Sequence, residues 1–224
     1  MGPSTANHEV GVRPYRSEDR AGVYDVCVRT GDHGGDATGK FTRPDLLPDI
    51  FAGPYIELEP GFAFVVDAGE RAVGYVVGTP RTTDFVPLYR EKWLPLVAGR
   101  YPAPPPRPVT PEEHMLALLH RPEHMLSPRF PAFPAHLHID ILPAYQGRGW
   151  GRALVDAFAG AVAGAGASGV HVAVAVANQR AHGFYRRVGF ERLTVPGRAP
   201  GDPPGGGIVY YGLDTSPRAR DRQV

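Results

Sequence analysis

Cysteine is almost absent from this chain of 224 residues, since Cys27 is the only one. A single cysteine excludes an internal disulfide and any metal site built from several thiolates. Lysine is also scarce, because only Lys40 and Lys92 occur among the 24 basic residues. The formal net charge is only +1, so the chain as a whole offers no electrostatic attraction for nucleic acid or for an anionic membrane surface.

Long hydrophobic runs are missing as well. No apolar run approaches the roughly 18 residues that a membrane span requires. Residues 1–10 are polar and lack the apolar segment of a signal peptide. We therefore expect a cytoplasmic protein that binds neither membrane nor nucleic acid. Hydrophobic residues make up 42% and charged residues 21%, as in a folded domain. We expect a single domain over 10–215, with flexible tails at 1–9 and 216–224.

The first 80 residues carry alternating strand and helix signals. Val23, Val26, Cys27 and Thr30 have helical spacing, so Cys27 belongs to an apolar face and is interpreted as core. The predicted elements are a strand at 10–15, a helix from an N-cap at Ser17 to about Thr30, a short helix capped by Thr42, and hairpin strands at 62–67 and 71–79.

Residues 81–135 differ from their surroundings because they are rich in proline and aromatic side chains. Thr110-Pro111-Glu112-Glu113 is typical of a capping box with proline at the first helical position. An excursion of this length is too long for an ordinary connection, and such segments tend to be lids or binding loops.

The remaining chain predicts alternating strands and helices. Residues 170–176 are almost all apolar, which is typical of a strand buried on both faces. The other predicted elements are strands at 136–142, 190–195 and 208–213, a helix at 149–165, and a helix capped by Asn178 that ends at Gly189.

A glycine-rich motif, Gln146-Gly147-Arg148-Gly149-Trp150-Gly151, joins a predicted strand to a predicted helix. Glycines let the backbone approach a ligand closely, and the free amides of a first helical turn attract an anion. This pattern indicates a phosphate or pyrophosphate site. A P-loop is excluded because the motif has no lysine, and a Rossmann site is excluded because its glycine spacing and its acidic residue are absent.

The glycine motif resembles the acyl-CoA signature of the GNAT acetyltransferase superfamily, matching it at Gln146, Gly149 and Gly151. A second segment resembles that superfamily too, with Asn178 and Ala181 followed by Phe184-Tyr185 and Gly189-Phe190. The resemblance implies an α/β fold whose mixed central sheet is splayed between its fourth and fifth strands, with flanking helices. Residues 81–135 would be a helical, proline-rich insertion between the third and fourth strands.

Several short segments are closer still to the C-terminal acetyltransferase-like domain of the O-GlcNAcase family and its single-domain bacterial homologues. These segments are Arg13-Pro14-Tyr15, Val23–Cys27, Pro44-Asp45-Leu46, Ala72–Tyr75 and Trp93-Leu94-Pro95. That domain also has an insertion between its third and fourth strands, which would match 81–135. The chain has no room for a glycoside hydrolase domain, so the resemblance does not imply glycan hydrolysis.

The resemblance implies acetyl-CoA as co-substrate and no metal. The pantetheine arm would bond to the fourth-strand backbone, and the pyrophosphate would rest on the amides of the glycine motif, with Arg148 or Arg152 near a phosphate. The cofactor-binding residues implied are Ile139, Ile141, Leu142, Gln146, Gly147, Arg148, Gly149, Trp150, Gly151, Arg152, Asn178 and Tyr185.

Two side chains are the candidate catalytic residues. The superfamily implies Tyr185 as the acid that protonates the leaving thiolate, although its spacing also fits a core tyrosine. We choose Asp140 as the base, because alternation places His136, His138 and Asp140 on one face of a strand that should look into the substrate cleft. His138 is the alternative base. A structural aspartate and a zinc site on this His-x-His-x-Asp pattern are also open interpretations.

Two functions therefore compete on the sequence alone. One is an N-acetyltransferase that transfers acetyl directly to a primary amine on a small molecule, a peptide N-terminus or a protein lysine. The other is a catalytically silent acyl-CoA-binding protein or an interaction module. The residues that could form the wall of a site for a cationic amine are Tyr89, Trp93, Tyr101, Asp32, Asp36, Glu57 and Glu59.

Overall fold

The computed structural model of the protein describes residues 10–69, 71–126, 130–195 and 207–216. These residues form a seven-stranded sheet in the order β1-β2-β3-β4-β5-β7-β6. The strands are β1 (Gly11–Pro14), β2 (Phe64–Asp67), β3 (Ala72–Thr79), β4 (Ala135–Ile141), β5 (Gly169–Ala175), β6 (Glu191–Arg192) and β7 (Ile208–Asp214). The predicted tails lie outside the described residues, except for Ser216.

Helices flank this sheet and build the insertion. The α-helices are α1 (Arg20–Thr30), α2 (Leu46–Phe51), α3 (Gly53–Leu58), α4 (Thr82–Leu88), α5 (Leu94–Val97), α6 (Pro111–His120), α7 (Trp150–Gly164) and α8 (Gln179–Arg187). A π-helical turn, Tyr89–Trp93, joins α4 to α5. In the described ranges, no helix is both long and apolar enough to cross a membrane.

Helix starts were predicted with mixed success. The capping box at α6 is confirmed, since Thr110 Oγ1 accepts from the Glu113 amide at 3.2 Å and the Glu113 carboxylate accepts from the Thr110 amide at 3.0 Å. The predicted caps at Ser17 and Thr42 are wrong. Ser17 begins a 3₁₀ turn and α1 begins at Arg20. The Thr42 amide donates instead to the Glu112 carboxylate at 2.9 Å, which ties the α1–α2 loop to the insertion.

The sheet opens between β4 and β5, as the resemblance implied. These two strands are parallel and pair only at Ala135 with Val170 and at His136 with His171. Beyond that point β4 continues to Ile141 alongside β3, while β5 pairs with β7. In the described part of the chain, the second half of β4 therefore has a strand neighbour on one side only.

The two faces of the sheet carry different helices. Tyr75 and Gly78 of β3 differ by an odd number of positions, so they point to opposite faces. The Tyr75 side chain meets Cys27 of α1, whereas a Cβ at Gly78 would lie 2.6 Å from the Phe158 ring of α7. Helices α1 and α7 therefore cover opposite faces, and Cys27 is core, 3% exposed, as predicted.

The prediction that β5 is buried on both faces was wrong. Strand β5 is buried on one face only, because Val170, Val172 and Val174 are buried while Ala173 is exposed. The aromatic side chains of the insertion do not form the wall of an open site. Tyr89, Trp93 and Tyr101 are 2%, 1% and 6% exposed, since the insertion packs them against α2 and α3. An apolar composition identifies side chains that need burial, but not whether a ligand or the protein itself buries them.

Candidate active site

A cavity of about 700 Å³ opens where the sheet splays, between the end of β4, the start of α7 and the helix α8. Ten of the residues that the sequence singled out form part of its wall: Ile139, Asp140, Ile141, Gln146, Gly147, Gly149, Gly151, Arg152, Asn178 and Tyr185. The fold therefore brings the glycine motif, the β4 residues and the α8 tyrosine to one place, although they are far apart in the chain.

Three predicted residues do not line this cavity. Leu142 is buried, and its amide donates to Val73 O of the neighbouring chain segment at 2.9 Å, so it is not free for a ligand. The Arg148 guanidinium lies over the Tyr145 ring, 5.9 Å from the ring centroid. Trp150 packs against the hydrophobic core. The Leu142 amide and the side chains of Arg148 and Trp150 are thus engaged within the protein, whereas the backbone amides of Arg148 and Trp150 donate no hydrogen bond among the described residues.

The glycine motif forms a cradle of unpaired amides. Gly147 and Gly149 have φ angles of 75° and 88°, a left-handed conformation that favours glycine. Among the described residues, the amides from Gly147 to Arg152 donate no hydrogen bond, and the start of α7 has no side-chain cap. Unpaired amides together with the positive end of a helix dipole attract an anion. A Cβ at Gly147 or Gly149 would meet no atom within 4 Å, so the space above them is open.

Gly151 has a different reason to be glycine. A Cβ at this position would lie 2.6 Å from the Phe184 ring of α8. The absence of a side chain therefore lets α7 and α8 approach each other, which sets the width of the cavity. Gly151 thus differs from Gly147 and Gly149 in the direction that a side chain would take, although it lines the same cavity.

The β4 backbone offers hydrogen-bonding groups to the cavity. In an antiparallel ladder, alternate residues direct their N–H and C=O groups toward the same neighbour. Leu142 and Asp140 face β3, so Ile139 and Ile141 face the opening toward β5. The side chain of Gln146 donates to Ile141 O at 2.8 Å. The Ile139 N–H and C=O and the Ile141 N–H therefore point into the splayed gap.

Sequence reasoning missed two arginines on α8. Arg180 and Arg187 line the cavity together with the predicted Arg152. Arg180 donates to Gln146 Oε1 at 3.0 Å, which joins α8 to the glycine motif, and Arg152 donates to Arg187 O at 2.6 Å, which joins α7 to α8. Arg180 could have been identified, since it lies inside the second segment that resembles the superfamily. The direction of its side chain could not be predicted, because that direction depends on how α8 packs against α7.

Asp140 is partly buried at the inner end of the cavity. Its Oδ2 accepts a hydrogen bond of 2.8 Å from the Tyr75 hydroxyl, and Thr30 of α1 lies beside it. Burial raises the pKa of the Asp140 carboxyl to about 7, against the opposing effect of the hydrogen bond from Tyr75 and of the nearby Thr30 hydroxyl. A carboxyl of this kind can accept a proton near neutral pH.

Tyr185 is 6% exposed and its side chain reaches the cavity from α8. The ring stacks on Tyr211 and meets Phe190 edge-on. Its hydroxyl has no hydrogen-bond partner among the described residues, and burial raises its pKa, so it remains protonated. The ring therefore belongs to the core, while the hydroxyl remains available for a ligand.

Asn178 caps α8, since its side chain accepts from the Ala181 amide at 3.1 Å. The same side chain lines the cavity. Because the cap uses one of the two lone pairs of the amide oxygen, the second lone pair and the amide N–H groups are left for a ligand.

The two β4 histidines lie in a buried network outside the cavity wall, so the prediction that they face the cleft was wrong. Thr82 Oγ1 donates to Pro134 O at 2.9 Å, so it must accept from His136 Nδ1 at 2.8 Å. The Nε2 of His136 then accepts from the Tyr55 hydroxyl at 2.8 Å. Tyr55 has a single hydroxyl proton, so it accepts from His138 Nε2 at 3.1 Å.

This network makes His138 a poor base. Burial lowers the pKa of His138 to about 4 and that of His136 well below its ordinary value. Among the described residues, no group of three or more histidine, cysteine or acidic side chains could hold a metal ion. Asp140 is thus the titratable group at the cavity whose pKa suits proton transfer near neutral pH.

The protein comparisons agree with this geometry. Residues 36–190 match the model of the Acetyltransferase (GNAT) family. The chain therefore belongs to the GNAT acetyltransferase family, and by that membership it is an acyltransferase enzyme.

Individual relatives make the comparison more specific. The crystal structure of SsHAT is 50% identical, with a TM-score of 0.85 over 92% of this chain and 98% of that chain. Protein O-GlcNAcase from Rattus norvegicus is 25% identical over 189 residues, which cover 83% of this chain. The chain spans only 20% of the length of that relative. Both resemblances predicted from the sequence are thus confirmed.

A more distant structure shares the fold alone. The yncA protein of Salmonella typhimurium, solved with its cofactor acetyl-CoA, is 12% identical and has a TM-score of 0.52. The comparison covers 93% of this chain and 95% of that chain.

Proposed function

We propose that this protein is an acetyl-CoA-dependent N-acetyltransferase that transfers an acetyl group directly to a primary amine. The observation that carries the proposal is one continuous cavity at the β4–β5 opening. It joins an anion cradle at one end to an ionisable carboxyl, Asp140, and a free hydroxyl, Tyr185, at the other.

The residues present fit acetyl-CoA. The unpaired amides from Gly147 to Arg152 suit a pyrophosphate, and Arg152, Arg180 and Arg187 supply positive charge beside it. The backbone groups of Ile139 and Ile141 suit the amide groups of a pantetheine arm, which would replace the missing strand neighbour of β4. The volume of about 700 Å³ lies within the range of about 300–1,000 Å³ that is common for ligand pockets.

When bound, acetyl-CoA supplies an activated thioester. Asp140 accepts the proton of the incoming ammonium group, because a base with a pKa near 7 is half ionised at neutral pH and still basic enough to take that proton. The free amine then attacks the thioester carbon directly. The Tyr185 hydroxyl, which has no other partner among the described residues, donates its proton to the departing thiolate, and it regains a proton when the nitrogen of the new amide loses its second one. The protein contributes mainly by holding both reactants in line.

Thermal unfolding with and without ligand, combined with thiol release, tests this proposal. At a concentration of 100 times Kd, acetyl-CoA should stabilise the protein by ~2.7 kcal/mol. That corresponds to about 2–4 °C in Tm for each kcal/mol. Thiol release is then measured with a small amine, a peptide with a free N-terminus and an acetyl-capped peptide containing lysine.

The outcomes separate the two functions that the sequence left open. Stabilisation together with amine-dependent thiol release supports the acetyltransferase. Stabilisation without thiol release for any amine class would leave an acyl-CoA-binding protein. No stabilisation by millimolar acetyl-CoA or CoA would reject both.

A further inference from the structure

Tyr75 and Asp140 stand directly opposite each other in the β3–β4 ladder. Directly opposed side chains in an antiparallel pair emerge on the same face of the sheet. Tyr75 is fully buried, and its hydroxyl lies 2.8 Å from Asp140 Oδ2. The sheet register itself therefore fixes this contact, and no mobile loop is involved.

The direction of this hydrogen bond follows from the chemistry of the two groups. An ionised carboxylate can only accept, so Tyr75 donates to it. Burial raises the pKa of Tyr75 well above its ordinary value, so the hydroxyl keeps its proton throughout the working pH range. A hydrogen bond to the charged form of a carboxyl favours that form and opposes the effect of burial.

The groups around Asp140 are otherwise uncharged. Thr30 and Cys27 face it from α1, Tyr185 faces it from α8, and His138 precedes it on the same face of β4. Burial raises the pKa of the Cys27 thiol and lowers the pKa of His138, so both are neutral at neutral pH. Burial and the hydrogen bond from Tyr75 therefore set the protonation of Asp140, with a smaller effect from the nearby Thr30 hydroxyl, which itself donates to Val26 O.

We propose that Tyr75 is a positioning residue for the transfer reaction: its hydroxyl holds Asp140 Oδ2, so that Oδ1 is left for the amine and the ionised carboxylate is maintained. This inference rests on the proposed function, in which Asp140 is the base. Tyr75 itself touches neither substrate and acts only through Asp140.

The variant Tyr75→Phe tests this, with Tyr55→Phe as the matched control. Tyr55 is also a buried tyrosine, and its hydroxyl binds His136 and His138 on the same strand, but not Asp140. The first readout is the ¹³C NMR titration of the Asp140 carboxyl in the protein without ligands. We expect its midpoint to rise by about one pH unit in Tyr75→Phe and to stay in place in Tyr55→Phe.

The second readout is the pH profile of kcat/KM. Its acidic limb should move upward by the same amount in Tyr75→Phe, while KM for acetyl-CoA stays within twofold. An unshifted Asp140 titration would overturn the inference whether or not the wild-type protein turns over. A shifted titration with an unmoved acidic limb would show that Asp140 is not the base, and would reject the positioning role.

A second variant guards against a failure of Tyr75→Phe to fold. Replacing Tyr75 by 2,3-difluorotyrosine keeps the ring and makes its hydroxyl a stronger donor. The Asp140 midpoint should then shift downward, opposite to the shift in Tyr75→Phe. A shift in the same direction, or none, would contradict the inference.

Discussion

The hydroxyl of Tyr101 donates a 2.6 Å hydrogen bond to the carboxylate of Asp49, which joins the insertion to helix α2. Asp49 is fully buried, and its other oxygen accepts from Tyr24 of α1 at 2.7 Å. Arg100 pairs with the same carboxylate at 2.8 Å. One buried charge therefore connects α1, α2 and the insertion.

Replacing Asp49 by alanine should destabilise the protein by about 3 kcal/mol, because it leaves the hydroxyls of the buried Tyr101 and the partly buried Tyr24 without an acceptor. Tyr101→Phe removes one bond and should cost about 1–2 kcal/mol. Urea unfolding measures both values. Hydrogen exchange should rise in 82–120 in both variants, and unchanged protection there would contradict the role of Asp49 as the anchor of the insertion.

Gly149→Val should remove acetyl-CoA affinity. The side chain would enter the open space above the cradle, and a β-branched residue is strained at a φ of 88°. Gly160→Ala, also on α7 and also with open space around it, is the control and should bind normally. Calorimetric titration with acetyl-CoA checks this. Normal affinity in a folded Gly149→Val protein would show that the cradle is only a structural turn.

Gly151→Ala should mainly lower the stability of the protein, because the added Cβ would lie 2.6 Å from the Phe184 ring. We expect a loss of about 1–3 kcal/mol, as for other overpacked sites. Shortening the partner in the double variant Gly151→Ala/Phe184→Leu should recover part of that loss relative to Phe184→Leu alone. Additive losses in this double-mutant cycle would contradict a direct contact.

Asp140 links activity and stability to pH. As the base it must be ionised, so kcat/KM should rise with pH through about 7. Asp140→Asn should lower kcat by ~10²–10⁴-fold, the usual contribution of a positioned base. An unchanged kcat in Asp140→Asn would assign the proton transfer to another group.

The stability effect has the opposite sign to that of an ion-paired carboxylate. The pKa of an aspartate in the unfolded chain is 3.8, whereas that of Asp140 in the native protein is about 7. Between these two pH values the native state therefore binds a proton that the unfolded chain has lost. The free energy of unfolding therefore falls as pH rises through this window. The stability of Asp140→Asn relative to the wild type should therefore be greater at pH 8 than at pH 4, by up to about 4 kcal/mol. Urea unfolding at both pH values measures this difference.

Tyr185→Phe removes one hydroxyl and keeps the ring that packs on Tyr211 and Phe190. If the hydroxyl protonates the thiolate, it matters in the transition state far more than in the bound ground state. The turnover number should fall by ~10²–10⁴-fold while acetyl-CoA affinity stays nearly constant. Steady-state kinetics and calorimetric titration measure the two quantities. Unchanged turnover would exclude Tyr185 from the mechanism.

The sequence predicted the local parts of the site well, because they depend on neighbouring residues. The glycine motif at a helix start and the cap at Asn178 are short-range patterns. The alternation along β4 correctly placed Asp140 on the same face of the strand as His138. Arg187 and Thr30 could not be predicted in the same way, since only the packing of α8 and α1 brings them to the cavity. The insertion shows the same limit: Trp93 is a core residue because α2 and α3 offer it a partner surface.

The opening between β4 and β5 is, in effect, an edge placed in the middle of a sheet. Unpaired edges expose the protein to association with other extended chains. Here the edge at Ile139 and Ile141 lies inside a cavity bounded by α7 and α8, and the contact of Gly151 with Phe184 keeps those helices close. The opening is wide enough for one slender extended ligand but too narrow for a second sheet, so the unpaired edge is shielded from association with other chains.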